Sequence, residues 1–277
     1  MIEVNNLNFS YDGKTNIFER LNLTLSGGQI YGLLGLNGAG KSTFLQILQG
    51  LQYPKSGELR VLGLNPSGRS TTFYEQSFLL PEEVFTPPID INTFINRYAQ
   101  FYPKFSLEDF LKFLNEFEIE RKSNFSKMSM GQKKKVMIAF GLASNTEILL
   151  MDEPTNGLDI PSKKQFRKIL THILTEDRLF IISTHQIRDL HSLIDSVIVI
   201  NEGKIIFNHT IQSICSNFSF SLDPEPITHP DVLYSERVPG GHLNIYRYND
   251  QFHFEPDLEV LFNAIVTDNL KIRRTIN

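Results

Sequence analysis

Gly35-Leu36-Asn37-Gly38-Ala39-Gly40-Lys41-Ser42-Thr43 fits the pattern G-x-x-x-x-G-K-[ST]. These residue types suit one task, the cradling of a phosphate chain. Glycines at 35, 38 and 40 let the backbone curl until successive N–H groups point into one anion-sized hollow. A helix starting at Lys41 aims the positive end of its dipole at the same spot. The Lys41 ammonium reaches the β- and γ-phosphates, and the Ser42 hydroxyl is a Mg2+ ligand. The surroundings fit. Ile30-Tyr31-Gly32-Leu33-Leu34 is a compact apolar run of the kind a buried parallel strand requires. After the loop, a helical segment runs from Lys41 to about Gln49, with Gly50 as its stop. Strand, glycine-rich turn and helix, in that order, predict a nucleoside triphosphate site.

Working outward, Ile148-Leu149-Leu150-Met151 is a second buried strand, and it ends in Asp152-Glu153. The strand's C-terminal end delivers both acids to the crevice where such sheets bind ligands. Asp152 is expected in the Mg2+ shell and Glu153 as general base on the attacking water. Upstream of the loop, Ile2 and Val4, then Leu7 and Phe9, alternate with polar residues, as do Leu21, Leu23 and Leu25. Asp12-Gly13 marks a turn between these strands. Downstream, Phe166, Ile169, Leu170, Ile173 and Leu174 line a helix, and Leu179–Ile182 is another buried strand. Val197–Ile200 and Lys204–Phe207 predict a hairpin around Asn201-Glu202-Gly203. The middle reads as helical: Ile89–Tyr102, then a helix opened by Ser106 and Asp109 with Leu107, Phe110, Leu111, Leu114 and Phe117 on one face. This alternation predicts an α/β chain with a mostly parallel core sheet, an antiparallel N-terminal β region and a helical insertion at about 86–140. Four prolines, at 224, 226, 230 and 239, separate that unit from a small α+β appendage. In it Leu243–Tyr248 and Gln251–Phe254 suggest a hairpin about Asn249-Asp250, and Asp257–Val266 a helix.

Composition narrows the function. Against 27 basic side chains stand 31 acidic ones, a net charge of −4, which disfavours direct nucleic-acid binding. Lys133-Lys134-Lys135 is the longest run of like charge and, opening a helix, is expected to form a solvated face. The single cysteine, Cys215, excludes a disulfide framework and a cysteine-rich zinc site. Met1-Ile2-Glu3-Val4-Asn5 has no basic segment leading into an apolar one, so no signal peptide is expected. The most apolar window, Val136–Ala143, is far shorter than the ~18 residues of a membrane span. A cytoplasmic protein is expected, one that would work at a membrane only through another chain.

Four further stretches make the chain resemble the nucleotide-binding subunit of ABC transporters. Met128-Ser129-Met130-Gly131-Gln132 is similar to that family's L-S-G-G-Q signature and lies just upstream of the Asp152-Glu153 strand. Asn156-Gly157-Leu158-Asp159 stands where the family has its D-loop, which makes Asp159 the D-loop residue. Ser183-Thr184-His185 resembles the segment carrying the switch histidine, so the resemblance gives His185 a catalytic role as γ-phosphate sensor. Tyr11 sits where the family stacks an aromatic ring on adenine. The likeness runs from residue 1 to about 210. It depends on the ordered set more than on any single piece.

Two positions depart from the family pattern. Met130 replaces a signature glycine, while Ser129 and Gly131 are kept, which implies function with altered affinity. The Q-loop glutamine should fall near Leu80-Pro81-Glu82, where the sequence offers Glu82, with Gln76 as the competing position. A carboxylate ligates Mg2+ through oxygen yet cannot donate a hydrogen bond as an amide does.

The resemblance implies a P-loop ATPase of ABC type over residues 1–214, and the change of sequence character beyond it predicts an accessory module over 215–277. It implies ATP and Mg2+ as ligands, with ATP held by Tyr11 and Gly35–Thr43 and the metal by Ser42, Asp152 and Glu82. In the family the loop of one domain and the signature of another enclose each ATP, so one copy of each predicts a dimer, here a homodimer. It further implies separately encoded membrane-spanning permease subunits. The form of residues 156–159 together with the C-terminal appendage points to export. The rival reading is a soluble ABC-type ATPase acting on the ribosome or on DNA. The ribosomal type resembles two tandem domains joined by a charged linker. The DNA type splits its motifs with a long coiled coil, for which the span from Lys41 to Met128 leaves no room.

Overall fold

The computed structural model describes residues 1–189, 191–225, 231–248, 256–267, 272 and 275–276. Strands β1 (Ile2–Phe9) and β2 (Phe18–Leu25) precede β3 (Gln29–Leu34), which leads through the glycine-rich loop into α1 (Lys41–Leu48). Then come β4 (Ser56–Val61), α2 (Thr71–Glu75) and β5 (Ser77–Leu80), followed by α3 (Ile91–Tyr98), α4 (Leu107–Glu116) and α5 (Met130–Ala143). The chain returns through β6 (Ile148–Asp152), α6 (Ile160–Ile173), β7 (Leu179–Thr184), β8 (Ser196–Asn201), β9 (Lys204–Thr210) and α7 (Ile211–Asn217). The C-terminal part holds β10 (Phe218–Asp223), β11 (Val232–Val238), β12 (Gly241–Arg247) and α8 (Leu258–Val266).

The central sheet has the order β5-β6-β7-β3-β8-β9, parallel except for the last pair. Its middle strands are almost entirely buried and mostly apolar because both faces are covered, with Asp152, Ser183 and Thr184 at their C-terminal ends. Alternate residues go to opposite sides. Leu149, Met151, Phe180 and Ile182 point into one core, and Ile148, Leu150, Leu179 and Ile181 into the other. The second core is closed by α1 and by an antiparallel sheet of order β2-β1-β4. The first is closed by the helical region, α6, α8 and the C-terminal sheet β10-β12-β11. Among the described residues no helix is long and apolar enough to cross a membrane.

The spacing of three between Val4 and Leu7, which breaks a period of two, has a physical cause. Asn6 adopts φ 49, and the pairing with β2 shifts register between Val4 and Leu7. This bulge keeps both apolar pairs on the core face. The predicted stop at Gly50 is a left-handed residue (φ 71) whose N–H bonds the Ile47 carbonyl. The hairpin at 201–203 turns on Glu202 and Gly203, both at positive φ.

Other expectations need correction. Leu107 is exposed, because it opens α4 and its turn projects past the core; Phe113 is buried in its place. Strands β4 and β5 escape the periodicity, one having only Leu59 and Val61 buried and the other being four residues long. Most of Leu243–Tyr248 lies in β12, which pairs with β10 on one side and, across Pro239-Gly240, with β11 on the other. The suggested second arm, Gln251–Phe254, lies outside the described residues, as do Asn249, Asp250, Pro226 and Pro230.

Phe140 on α5 fastens the helical region to the sheet. Its ring lies 5.1 Å from Phe94 and Phe105, 5.8 Å from Tyr102, 6.0 Å from Phe78 and 6.2 Å from Phe110. Truncation to alanine leaves a cavity that these rings, fixed on separate elements, cannot fill. Phe140→Ala is expected to lower stability by about 3–5 kcal/mol, read by urea unfolding.

Candidate functional site

The register of the sheet decides where chemistry collects. Leu34 pairs with Thr184 and Asp152 with Ser183, so the C-terminal ends of β3, β6 and β7 stop side by side. A cavity of about 510 Å³ opens above them, lined by Tyr11, Ile17, Asn37, Gly38, Gly40, Lys41, Ser42, Thr43, Glu82, Asp152, Glu153 and His185.

Gly40 caps α1 from the left-handed region (φ 101), and no side chain covers the helix's first N–H groups. The first turn also lacks an acid, so the helix end is free to receive an anion. Gly35 serves differently from the expected curl: a Cβ there would lie 2.7 Å from the Ile200 carbonyl, so close approach to β8 demands glycine. Ala39 packs against the β2-β1-β4 core and does not line the cavity. Lys41 is buried, and its Nζ donates to the Gly35 carbonyl at 2.8 Å. Burial pushes its pKa down, opposed by the charges of Glu153, Asp152 and Glu82. At the mouth, the Tyr11 ring stands edge-on to Phe9, and its hydroxyl shares a 2.9 Å hydrogen bond with the Thr43 hydroxyl.

Asp152 and Glu153 are both buried. The Ser183 hydroxyl donates to Asp152 Oδ1. Glu153 sits at φ 45, a left-handed position that takes it out of the strand's pleat. Its N–H is held by the Ser183 carbonyl at 3.1 Å and hydroxyl at 3.2 Å. Its Oε1 accepts from the His185 backbone N–H at 2.9 Å and lies 2.7 Å from His185 Nδ1. Glu82 reaches the cavity from the far side and accepts from Asn156 Nδ2 at 3.0 Å. Gln76 does not line it; it ends α2, and its carbonyl accepts from the Ile148 N–H.

The stretch Ser129–Gln132 stands apart from this cavity. Ser129 caps α5 by a reciprocal box with Gln132: its hydroxyl accepts the Gln132 N–H at 3.2 Å, and Gln132 Oε1 accepts the Ser129 N–H at 3.0 Å. Met130 is largely exposed. Asp159 caps α6 through the Ser162 N–H at 2.8 Å and pairs with Lys135 at 3.3 Å. Those bonds to Ser162 hold its carboxyl below the usual range.

The lysine run contradicts its expected solvated face, since Lys134 is buried. Its Nζ donates to the carbonyls of Glu153 at 2.6 Å and Asn156 at 3.1 Å. Consecutive helical residues lie ~100° apart, so three in a row cannot share one exposed face. That geometry was the signal available in the sequence. The sequence motifs leave Ile17 unmarked and give Ser183 no role of its own; a serine near the end of a buried strand beside the acid-bearing one is a local hint of the second.

The ABC transporter family matches residues 18–156. The bacitracin transport ATP-binding protein BcrA of Bacillus licheniformis is 30% identical, over 98% of this chain and 92% of its own length. A protein of Bacillus thuringiensis subsp. konkukian, named as an ABC transporter ATP-binding protein, is 31% identical over 96% of this chain but only 46% of its own length. The chain thus spans less than half of several relatives it matches. A solved ATP-binding subunit of an ABC transporter shares the fold, with a TM-score of 0.69 at 24% identity over 77% of this chain and 91% of that one.

Proposed function

The chain belongs to the ABC transporter family of ATP-binding proteins, and from that premise we propose that it hydrolyses ATP between two copies of itself to drive a separate membrane-spanning subunit. One observation carries this reading: the site is split. The cavity gathers the phosphate loop, Glu82, Asp152, Glu153 and His185, while Ser129–Gln132 lie outside it on the exposed start of α5. A second copy is therefore needed to bring a signature against the bound nucleotide.

In this reading Tyr11 stacks on the adenine. The N–H groups of Asn37–Thr43 and the Lys41 ammonium hold the phosphates. Glu153 takes a proton from the attacking water, and His185, already bonded to its carboxylate, orients it. Ser129, Met130, Gly131 and Gln132 serve the partner's ATP, and Asp159 stands at the junction. The donor set near the phosphates suits a hard divalent cation: the Ser42 hydroxyl, the Asp152 carboxylate and Glu82 all line the cavity. Among the described residues no three His, Cys, Asp or Glu side chains form a cage by themselves, so Mg2+ would share its coordination with phosphate oxygens. When bound, it would neutralise charge on the phosphates.

The task we propose is transport, in the export direction, with the chain on the cytoplasmic face of a membrane through its partner. The relative named for bacitracin transport supports the task, and bacitracin is the first cargo to test. Residues 1–214 would be the ATPase and 215–277 an accessory module. The direct test is phosphate release from MgATP by the purified chain, with and without its membrane partner. No release in either condition would overturn the proposal.

Glu82 gives a finer test. Glu82→Gln keeps an oxygen for Asn156 and removes only the charge. Hydrolysis should persist, while the Mg2+ concentration for half-maximal activity rises severalfold. Superimposable Mg2+ titrations would remove Glu82 from the neighbourhood of the metal.

A further inference from the structure

Along α5, Gly131, Lys134 and Lys135 stand at i, i+3 and i+4, which places them on one helix face. Each meets the segment that follows β6. A Cβ on Gly131 would lie 2.9 Å from the Gly157 carbonyl, so the two backbones touch. Lys135 pairs with Asp159 at 3.3 Å. Between them, the buried Lys134 ammonium takes the carbonyls of Glu153 and Asn156.

Glu153 needs such a hold. A non-glycine residue at φ 45 persists only where its surroundings over-determine it. Ser183 fixes its N–H, and Lys134 fixes its carbonyl. The side chain that faces the cavity therefore projects from a residue gripped on both sides, and one grip comes from the helix that begins at Ser129. The ammonium also stands among the charges of Glu82, Glu153 and Asp152, which oppose the loss of its proton on burial.

We propose that Lys134 is a positioning residue that makes the Glu153 loop and the Ser129 helix move as one piece. It thereby couples hydrolysis of the chain's own ATP to engagement of its signature with the partner's ATP. The coupling rests on the composite-site reading above; the grip on Glu153 does not.

Lys134→Met keeps most of the apolar stem and removes the donors. MgATP affinity of the isolated chain should stay within about twofold, because the phosphate loop is untouched, while kcat falls about tenfold or more. The Hill coefficient for ATP should drop to about one. If the methionine variant does not fold, Lys134→Gln carries the same test, since its shorter amide reaches at most one of the two carbonyls. An unchanged kcat overturns the proposal, and so does a kcat loss matched by an equal loss of affinity. A lower kcat with full cooperativity overturns the coupling. If the wild-type chain shows neither cooperativity nor an ATP-dependent doubling of mass, the composite-site reading fails instead. The split between kcat and affinity then still decides whether Lys134 positions Glu153.

Discussion

Glu153→Gln should stop hydrolysis and leave an ATP-bound pair of subunits. The substitution is nearly isosteric. The amide oxygen can still accept from the His185 N–H that Glu153 Oε1 accepts at 2.9 Å, so the loop has no reason to rearrange. What disappears is the basic oxygen. General-base assistance contributes ~10²–10⁴ to such reactions, and kcat should fall by that order. Binding should not depend on this group, because in the proposed site the phosphates meet the loop and Lys41. ATP should therefore accumulate unhydrolysed, and the closed pair should persist. Light scattering would show a doubling of mass on adding MgATP at high protein concentration, and ADP would not produce it. A second change, Ser129→Arg, should abolish the pair and spare the ATP affinity of the single chain, since Ser129 lies outside the chain's own cavity. Hydrolysis at the wild-type rate would remove Glu153 from its role. A stalled enzyme that stays monomeric, even with the membrane partner, would sink the composite site.

What the sequence made legible follows a physical divide. The loop at Gly35–Thr43 was readable because the phosphate-loop pattern sets residue types at fixed spacing along a few consecutive positions. Buried strands β3, β6 and β7 were readable because a parallel sheet covered on both faces leaves no polar alternation. The contacts that organise the site are of another kind. Ser183 reaches Asp152 across 31 residues, Lys134 reaches Glu153 across 19, and Asn156 reaches Glu82 across 74. No periodicity announces them, because they depend on which strand ends lie adjacent. The same reason explains Gly35. Its glycine looked like part of a curl, yet the constraint is the Ile200 carbonyl of a strand far along the chain. Between Glu82 and Gln76 the sequence offered only distance from Lys41 and position after Pro81, whereas the fold puts one at the cavity and the other at the end of α2.

Lys41→Ala should abolish tight MgATP binding. The wild-type ammonium is buried and rests on the Gly35 and Leu36 carbonyls, at 2.8 and 3.4 Å. Burial disfavours its charge, and Glu153, Asp152 and Glu82 supply the opposing field. Removing the cation therefore does two things. It deletes the positive partner of the β- and γ-phosphates, and it leaves those carboxylates to face an incoming polyanion without compensation. Truncating one member of a buried, hydrogen-bonded charge pair costs about 2–5 kcal/mol, or roughly 30-fold to a few thousand-fold in affinity. Calorimetric titration with MgATP measures this directly. The loss should extend to ADP, which keeps the β-phosphate. The fold should survive, because what Lys41 satisfies within the chain is loop carbonyls that water can reach once the side chain is gone. A thermal midpoint close to wild type, together with lost affinity, would separate a binding defect from an unfolded protein. Unchanged affinity would mean that the nucleotide does not sit on this loop, and every role assigned to the cavity would fall with it.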